Sequence, residues 1–117
     1  MQKSFSTQPN LFASAHDLEH PILHSLDDTE ALLDWSKIED LLSPIYAATT
    51  GRPSYPLLTL YRSLLLGIWY KLSDVQLAQA LYRDLLFRKF CHLELGGDVP
   101  EASTLGRFRT RLMEQAL

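Results

Sequence analysis

Three arginines stand close together near the C-terminal end of the sequence, at Arg107, Arg109 and Arg111. The planar guanidinium of arginine donates paired hydrogen bonds to phosphates and to the edges of guanine bases. On a helix, each residue is rotated by about 100° from the one before it. Arg107 and Arg111 therefore share one side, whereas Arg109, two residues from each of them, points to another side. The spacing therefore indicates that two of the three contact DNA while the third pairs with an acidic neighbour. Three solvated surface arginines are the alternative interpretation.

These arginines fall on a predicted C-terminal helix that begins at a polar cap, Ser103 or Thr104. Leu105, Phe108 and Leu112 follow at helical spacing and predict an inward-facing stripe. In a helix-turn-helix, the recognition helix is held from behind by apolar contacts while its outward side chains enter the major groove. We therefore add Thr104 to the arginines as a candidate DNA contact.

Four further helices are predicted upstream from apolar periodicity and capping residues, over 34–43, from 56 to about 70, from 73 and from 84. Pro44 either ends the first of these helices or lies in a second short turn. The second is apolar on most sides, which is typical of a central helix, and Gly67 within it allows a close neighbour. Ser73 and Gln76 form a capping-box pattern at the start of the third.

The fold class that follows is all-α. We expect a compact bundle of four to six helices with a helix-turn-helix-like C-terminal part, because no strand-like alternation is long enough to compete. Whether the third and fourth helices form one bent helix stays open at this point.

The charge of the chain is unevenly distributed. The formal net charge is −3, but residues 1–50 carry two basic and eight acidic residues, whereas residues 51–117 carry nine basic and six acidic ones. The basic second half favours an anionic partner. Residues 1–33 show no sustained period, so we predict an acidic, poorly ordered arm there and a helical domain over 34–117.

No catalytic or metal site is predicted from the sequence. His16, His20 and His24 are four residues apart, but Pro21 disfavours the continuous helix that would stack them around a metal. Cys91 and His92 point apart on a helix, so they are not a nucleophile and its base, and Cys91 is expected in the core. We expect a non-enzymatic chain without a cofactor and without a small-molecule substrate.

The composition also bears on the cellular compartment. A single cysteine precludes an intrachain disulfide, and the N-terminus lacks the apolar segment of a secretory signal. No apolar stretch is long enough to span a membrane, so no membrane partner is expected. We expect a cytoplasmic protein.

Four segments in order resemble the N-terminal domain of bacterial insertion-sequence transposases of the family called IS-five. They are Gly-Arg-Pro-Ser-Tyr-Pro-Leu at 51–57 followed by Arg62, Trp-Tyr-Lys-Leu-Ser-Asp at 69–74, the segment 77–90 with Arg88, and Pro-Glu-Ala-Ser-Thr-Leu-Gly-Arg-Phe-Arg at 100–109. The resemblance covers residues 35–117. This sequence departs from the family pattern at Glu101, where aspartate is more usual, and at Gly106, an unusual helix residue there.

The resemblance implies a domain that helps to bind the terminal inverted repeats of a transposable element in double-stranded DNA. In such transposases the catalytic carboxylates and their divalent metal ions belong to a later domain, and we expect that this chain ends before it. Arg52, Arg88 and Lys89 are candidate phosphate contacts beside the three arginines. The alternatives are a helical module for association with itself or with full-length transposase, and a truncated regulator of transposition.

Overall fold

The structure is a computed structural model that describes residues 20–48, main chain only at 46–48, and residues 55–115. In this part of the chain a short 3₁₀-helix, Pro21–His24, is followed by six α-helices and no strand. The helices are α1 Asp27–Leu32, α2 Trp35–Ala48, α3 Leu57–Trp69, α4 Asp74–Arg83, α5 Leu85–Cys91 and α6 Ala102–Glu114. The predicted all-α class is confirmed.

Helix α3 occupies the centre of the bundle, as its apolar sequence predicts. It contacts α2, α4, α5 and α6. Leu60, Leu64 and Leu66 are buried along it, and Gly67 faces α4 so closely that a Cβ there would lie 3.1 Å from Leu77 Cδ2. The polar side chain of Thr59 is satisfied inside the core because its hydroxyl donates to the carbonyl of Cys91 at 3.0 Å.

Helix α2 runs through Pro44 instead of ending before it. A proline has no N–H, so the carbonyl of Asp40, four residues earlier, loses its helical partner. The hydroxyl of Ser43 donates to that carbonyl at 2.7 Å. Leu42 and Ile45, both 1% exposed, anchor the helix on either side of the proline.

The break between α4 and α5 settles the question of one helix or two. Asp84 has an extended backbone, and its side chain accepts hydrogen bonds from the amides of Leu86 at 2.9 Å and Phe87 at 3.2 Å. It therefore ends α4 and caps α5. The predicted capping box of Ser73 and Gln76 is present at the start of α4.

Residues 20–33 contain the 3₁₀-helix and α1, two elements that the sequence did not predict. Leu23 is 4% exposed against the core, and Glu30 pairs with Arg62 of α3. The indole N–H of Trp35 also donates to the Glu30 carbonyl at 2.9 Å. These contacts come from residues distant in sequence, so local periodicity could not reveal them. Residues 1–19 lie outside the described part of the chain.

Helix α6 begins at Ala102, one residue before the earlier of the two predicted caps. The N-cap is Glu101, which has an extended backbone and makes no side-chain capping bond. Pro100 directly before it is almost completely buried, which fixes where the chain turns into the helix. The prediction that Ser103 or Thr104 caps this helix is therefore wrong.

Candidate nucleic-acid interface

Helix α6 presents a fixed inner face and a polar outer face. Leu105 is 0% exposed and Phe108 is 3% exposed, while Leu112 packs at the edge of the core. The predicted inward stripe is therefore confirmed. Because α6 packs against α3 and α4, its outer side chains are held at a defined position on the surface of the domain.

Arg107 lies on that outer face. Its side chain is exposed, and among the described residues it makes no hydrogen bond or ion pair. An unpaired guanidinium on a rigid helix is available to an anion such as a phosphate. Arg107 is therefore accessible to such a ligand, and its contact with DNA stays a prediction.

Arg109 is paired with Asp74, the first residue of α4. Its two terminal nitrogens donate to both oxygens of the carboxylate, Nη1 to Oδ2 at 2.8 Å and Nη2 to Oδ1. The two side chains are 45% and 30% exposed. This hydrogen bonding holds the pKa of the Asp74 carboxyl below its ordinary value of 3.8. The prediction that one of the three arginines pairs with an acidic neighbour is confirmed, although the sequence did not identify Asp74 as the partner.

A shallow groove runs along α6 beside these arginines. It is lined by Ser103, Gly106, Arg107, Arg109, Thr110, Arg111 and Glu114. Arg111 is half-buried, and so is Thr104, which does not line the groove. The structure therefore places all three predicted arginines in one surface feature, but leaves Thr104 beside it.

Arg88 is a structural residue, contrary to the predicted phosphate contact. It is 4% exposed, and its guanidinium donates to three main-chain carbonyls. The acceptors are Tyr82 at 2.8 Å, Glu94, and Gly97 at 3.4 Å. These bonds tie the end of α4 to the loop after α5. A guanidinium that is buried and hydrogen-bonded in this way cannot reach DNA.

Lys89 is also engaged within the protein. Its ammonium donates to the carbonyl of Leu23 at 3.0 Å and lies 3.8 Å from the Asp27 carboxylate. Its side chain is 22% exposed. Lys89 therefore fastens the 3₁₀-helix and α1 to α5 and is not grouped with the arginines of α6. Arg52 lies outside the described residues.

The described residues also bear on the catalytic and metal alternatives. No group of three or more histidine, cysteine, aspartate or glutamate residues there is arranged to hold a metal ion. His20 caps the 3₁₀-helix by accepting from the Ile22 amide at 3.1 Å, and His24 contacts Asp27. Cys91 is 0% exposed, and burial raises the pKa of its thiol to about 12, as befits a core residue.

Sequence comparison identifies the class of protein to which this helical bundle belongs. The profile of the family described as "Transposase domain (DUF772)" matches residues 15–111. The chain therefore belongs to this transposase domain family. No solved structure matches the chain. Within the described residues, no helix is long and apolar enough to cross a membrane.

Proposed function

We propose that this transposase domain binds double-stranded DNA through the outer face of α6. The observation that carries the proposal is that α6 combines a buried inner face with outward arginines, of which Arg107 is exposed and unpaired among the described residues. The main DNA contacts that we propose are Arg107 and Arg109, and Arg111 lies beside them in the same groove.

The dimensions of α6 suit the major groove. Its 13 residues make a rod about 20 Å long, and the groove is about 12 Å wide, which admits one α-helix. Helix α4 packs along α6 and would brace it, as the first helix of a helix-turn-helix braces the second. Arg52 remains a candidate phosphate contact, whereas Arg88 is withdrawn because it is buried.

The target that fits a transposase domain is the end of its own element. We propose that the domain recognises the terminal inverted repeats of an insertion sequence of the IS-five kind, as the segments 51–57 and 100–109 suggest. On this proposal the domain contributes binding. Strand transfer and its divalent metal ions belong to another part of the parent transposase.

An electrophoretic shift with a duplex carrying the element's end sequence tests this proposal. The double variant Arg107→Ala/Arg109→Ala should lose affinity at least tenfold, since charge-assisted hydrogen bonds contribute about 1.5–3 kcal/mol each. Lys37→Ala is the control, because Lys37 is an exposed basic residue on α2 and lines none of the surface grooves beside α6 or α3. Equal affinities for all three proteins would remove α6 from the interface.

A second candidate function, self-association, rests on the C-terminal end of α3. Ile68 is 70% exposed, Trp69 41% and Tyr70 44%, although all three are large and apolar. Tyr70 lines a groove with Ile22 and Leu85, bordered by Arg83 and Asp84. A second copy is the partner that we propose, because neighbouring residues of opposite charge can pair across a two-fold axis.

Sedimentation of the wild type and of Tyr70→Ser tests this second function. A wild-type dimer that dissociates in the variant would support it, and a strict monomer that binds DNA would contradict it. A dimer would also let a shortened chain regulate transposition by joining full-length transposase.

A further inference from the structure

The Asp74–Arg109 pair leaves part of the Arg109 guanidinium available. A guanidinium carries five N–H donors, and the carboxylate takes one from each terminal nitrogen. Three donors remain, and they meet no other partner among the described residues. The Arg109 side chain is 45% exposed, and it lines the same groove as Arg107, so these donors are available to a ligand in that groove.

Asp74 itself is held firmly at the start of α4. The hydroxyl of Ser73 accepts from the Gln76 amide at 3.1 Å, and the Gln76 side chain accepts from the Ser73 amide at 2.9 Å. Across the contact, Gly106 leaves space on α6: a Cβ there would lie 3.5 Å from Asp74 Oδ2. A side chain longer than alanine at that position would press on the carboxylate.

Arg107 and Arg109 thus differ in how freely their guanidinium groups can reorient toward a ligand. Arg107 has no described partner, so its guanidinium can follow phosphates on any sequence, whereas that of Arg109 is fixed in one orientation. Orienting a planar donor before binding reduces the entropy lost on binding. It also favours an acceptor pair of fixed geometry, such as O6 and N7 of guanine.

We propose that Asp74 is a positioning residue that makes Arg109 selective for a base edge, and that it disfavours phosphates near Arg109 by charge repulsion. This inference rests on the proposed DNA binding by α6. It adds the N-terminus of α4 to the recognition surface and assigns sequence discrimination to a pair of residues that span two helices.

The test compares Asp74→Asn with the wild-type chain on two labelled duplexes of equal length. One carries the sequence that the wild type enriches from a random pool, and the other is unrelated. The variant should bind the unrelated duplex more tightly, because one negative charge is gone. The ratio of its affinity for the enriched duplex to its affinity for the unrelated duplex should fall roughly 5- to 150-fold. This range corresponds to the 1–3 kcal/mol of a bidentate base contact. Arg109→Lys, which keeps the charge but loses the planar fork, should reduce the ratio similarly.

Glu114→Gln is the matched control. Glu114 lines the same groove and carries the same charge, but among the described residues no hydrogen bond or ion pair joins it to Arg109. Its removal should tighten binding to both duplexes equally and leave their ratio unchanged. Adding Asp74→Asn to Arg109→Ala should change the ratio no further, since the residue through which Asp74 acts is already absent. Thermal melts of each variant establish that it is folded.

The outcomes separate the two proposals. If Asp74→Asn behaves like Glu114→Gln, or still lowers the ratio when Arg109 is absent, Asp74 does not position Arg109, while DNA binding stands. If the wild-type chain binds neither duplex, the proposed function fails and the role of Asp74 fails with it.

Discussion

The guanidinium of Arg62 on α3 donates to both carboxylate oxygens of Glu30 on α1, 32 residues earlier in the chain. Arg62 also donates to the Phe90 carbonyl at 2.9 Å and stacks 3.7 Å above the ring of Trp35. One buried cation therefore connects α1, α2, α3 and α5. This connection makes α1 part of the folded domain.

Loss of the Glu30 carboxylate should destabilise the domain. Glu30→Ala leaves the 2%-exposed Arg62 without its counter-ion, so we expect the free energy of unfolding to fall by about 1–2 kcal/mol. The lower part of the range for charged hydrogen bonds applies because the Glu30 side chain is 41% exposed. Urea unfolding measures this, with Glu39→Ala on the exposed face of α2 as control. Equal midpoints for the two variants would contradict the role of the pair.

Acid should weaken both ion pairs. The hydrogen bond from Arg62 lowers the pKa of the Glu30 carboxyl from 4.5, and that from Arg109 lowers the pKa of Asp74 from 3.8. A carboxyl with a lowered folded pKa stabilises the fold above its unfolded pKa, and this contribution is lost as pH falls through the folded pKa.

The measurement is Tm against pH for the wild type and for Glu30→Gln/Asp74→Asn. The difference in Tm should be constant at neutral pH and should narrow once the pH falls below the two ordinary values. A difference that is independent of pH down to strongly acidic solution would show that the carboxylate charges do not stabilise the fold.

Two helical glycines should respond oppositely to alanine. At Gly106 a Cβ meets Asp74 Oδ2 at an ordinary 3.5 Å, so Gly106→Ala should stabilise the domain by about 0.5–1 kcal/mol through helix propensity. At Gly67 the Cβ would lie 3.1 Å from Cδ2 of Leu77, which is 1% exposed, so any shift of Leu77 has to be accommodated inside the core. Gly67→Ala should therefore destabilise by about 1 kcal/mol through overpacking. Calorimetric melts of both variants give the sign of the change in stability. A stabilised Gly67→Ala variant would refute the packing argument at Gly67.

The single cysteine should be inert in the native state. Cys91 is completely buried, and burial raises the pKa of its thiol to about 12, so little thiolate forms near neutral pH. A chromogenic disulfide reagent should react with it only as fast as the domain opens, but promptly in concentrated urea. Rapid modification in native buffer would mean that the core around α5 is open to solvent.

The sequence predicts the features that depend on near neighbours. Apolar periodicity located α3 and the inner face of α6, and the capping box marked the start of α4 at Ser73. Helix α1 was not predicted because none of its residues is buried. It is attached to the core by the pair between Glu30 and Arg62. Its stability is a tertiary property that a local window does not contain.

In the candidate site, too, the sequence predicts what depends on near neighbours and misses contacts between distant residues. Charge and spacing identified the arginines of α6 and indicated that one of them pairs with an acidic residue. The partner, Asp74, lies 35 residues away in sequence and is brought near by the packing of α4 on α6. Arg88 was predicted to contact phosphate because the sequence shows that it is basic. The sequence does not show that its guanidinium donates to the carbonyls of Glu94 and Gly97.

The salt dependence of DNA binding by Arg107→Ala shows whether α6 is the DNA-binding face of the domain. Arg107 is exposed and without a described partner, so its replacement removes a cation without disturbing the core. Fluorescence anisotropy of a labelled duplex at several salt concentrations gives the slope of log K against log salt concentration. If α6 is the DNA-binding face, the variant should bind more weakly than the wild type, and its slope should be smaller by about 1. The same affinity and the same slope as the wild type at every salt concentration would show that Arg107 of α6 does not contact DNA.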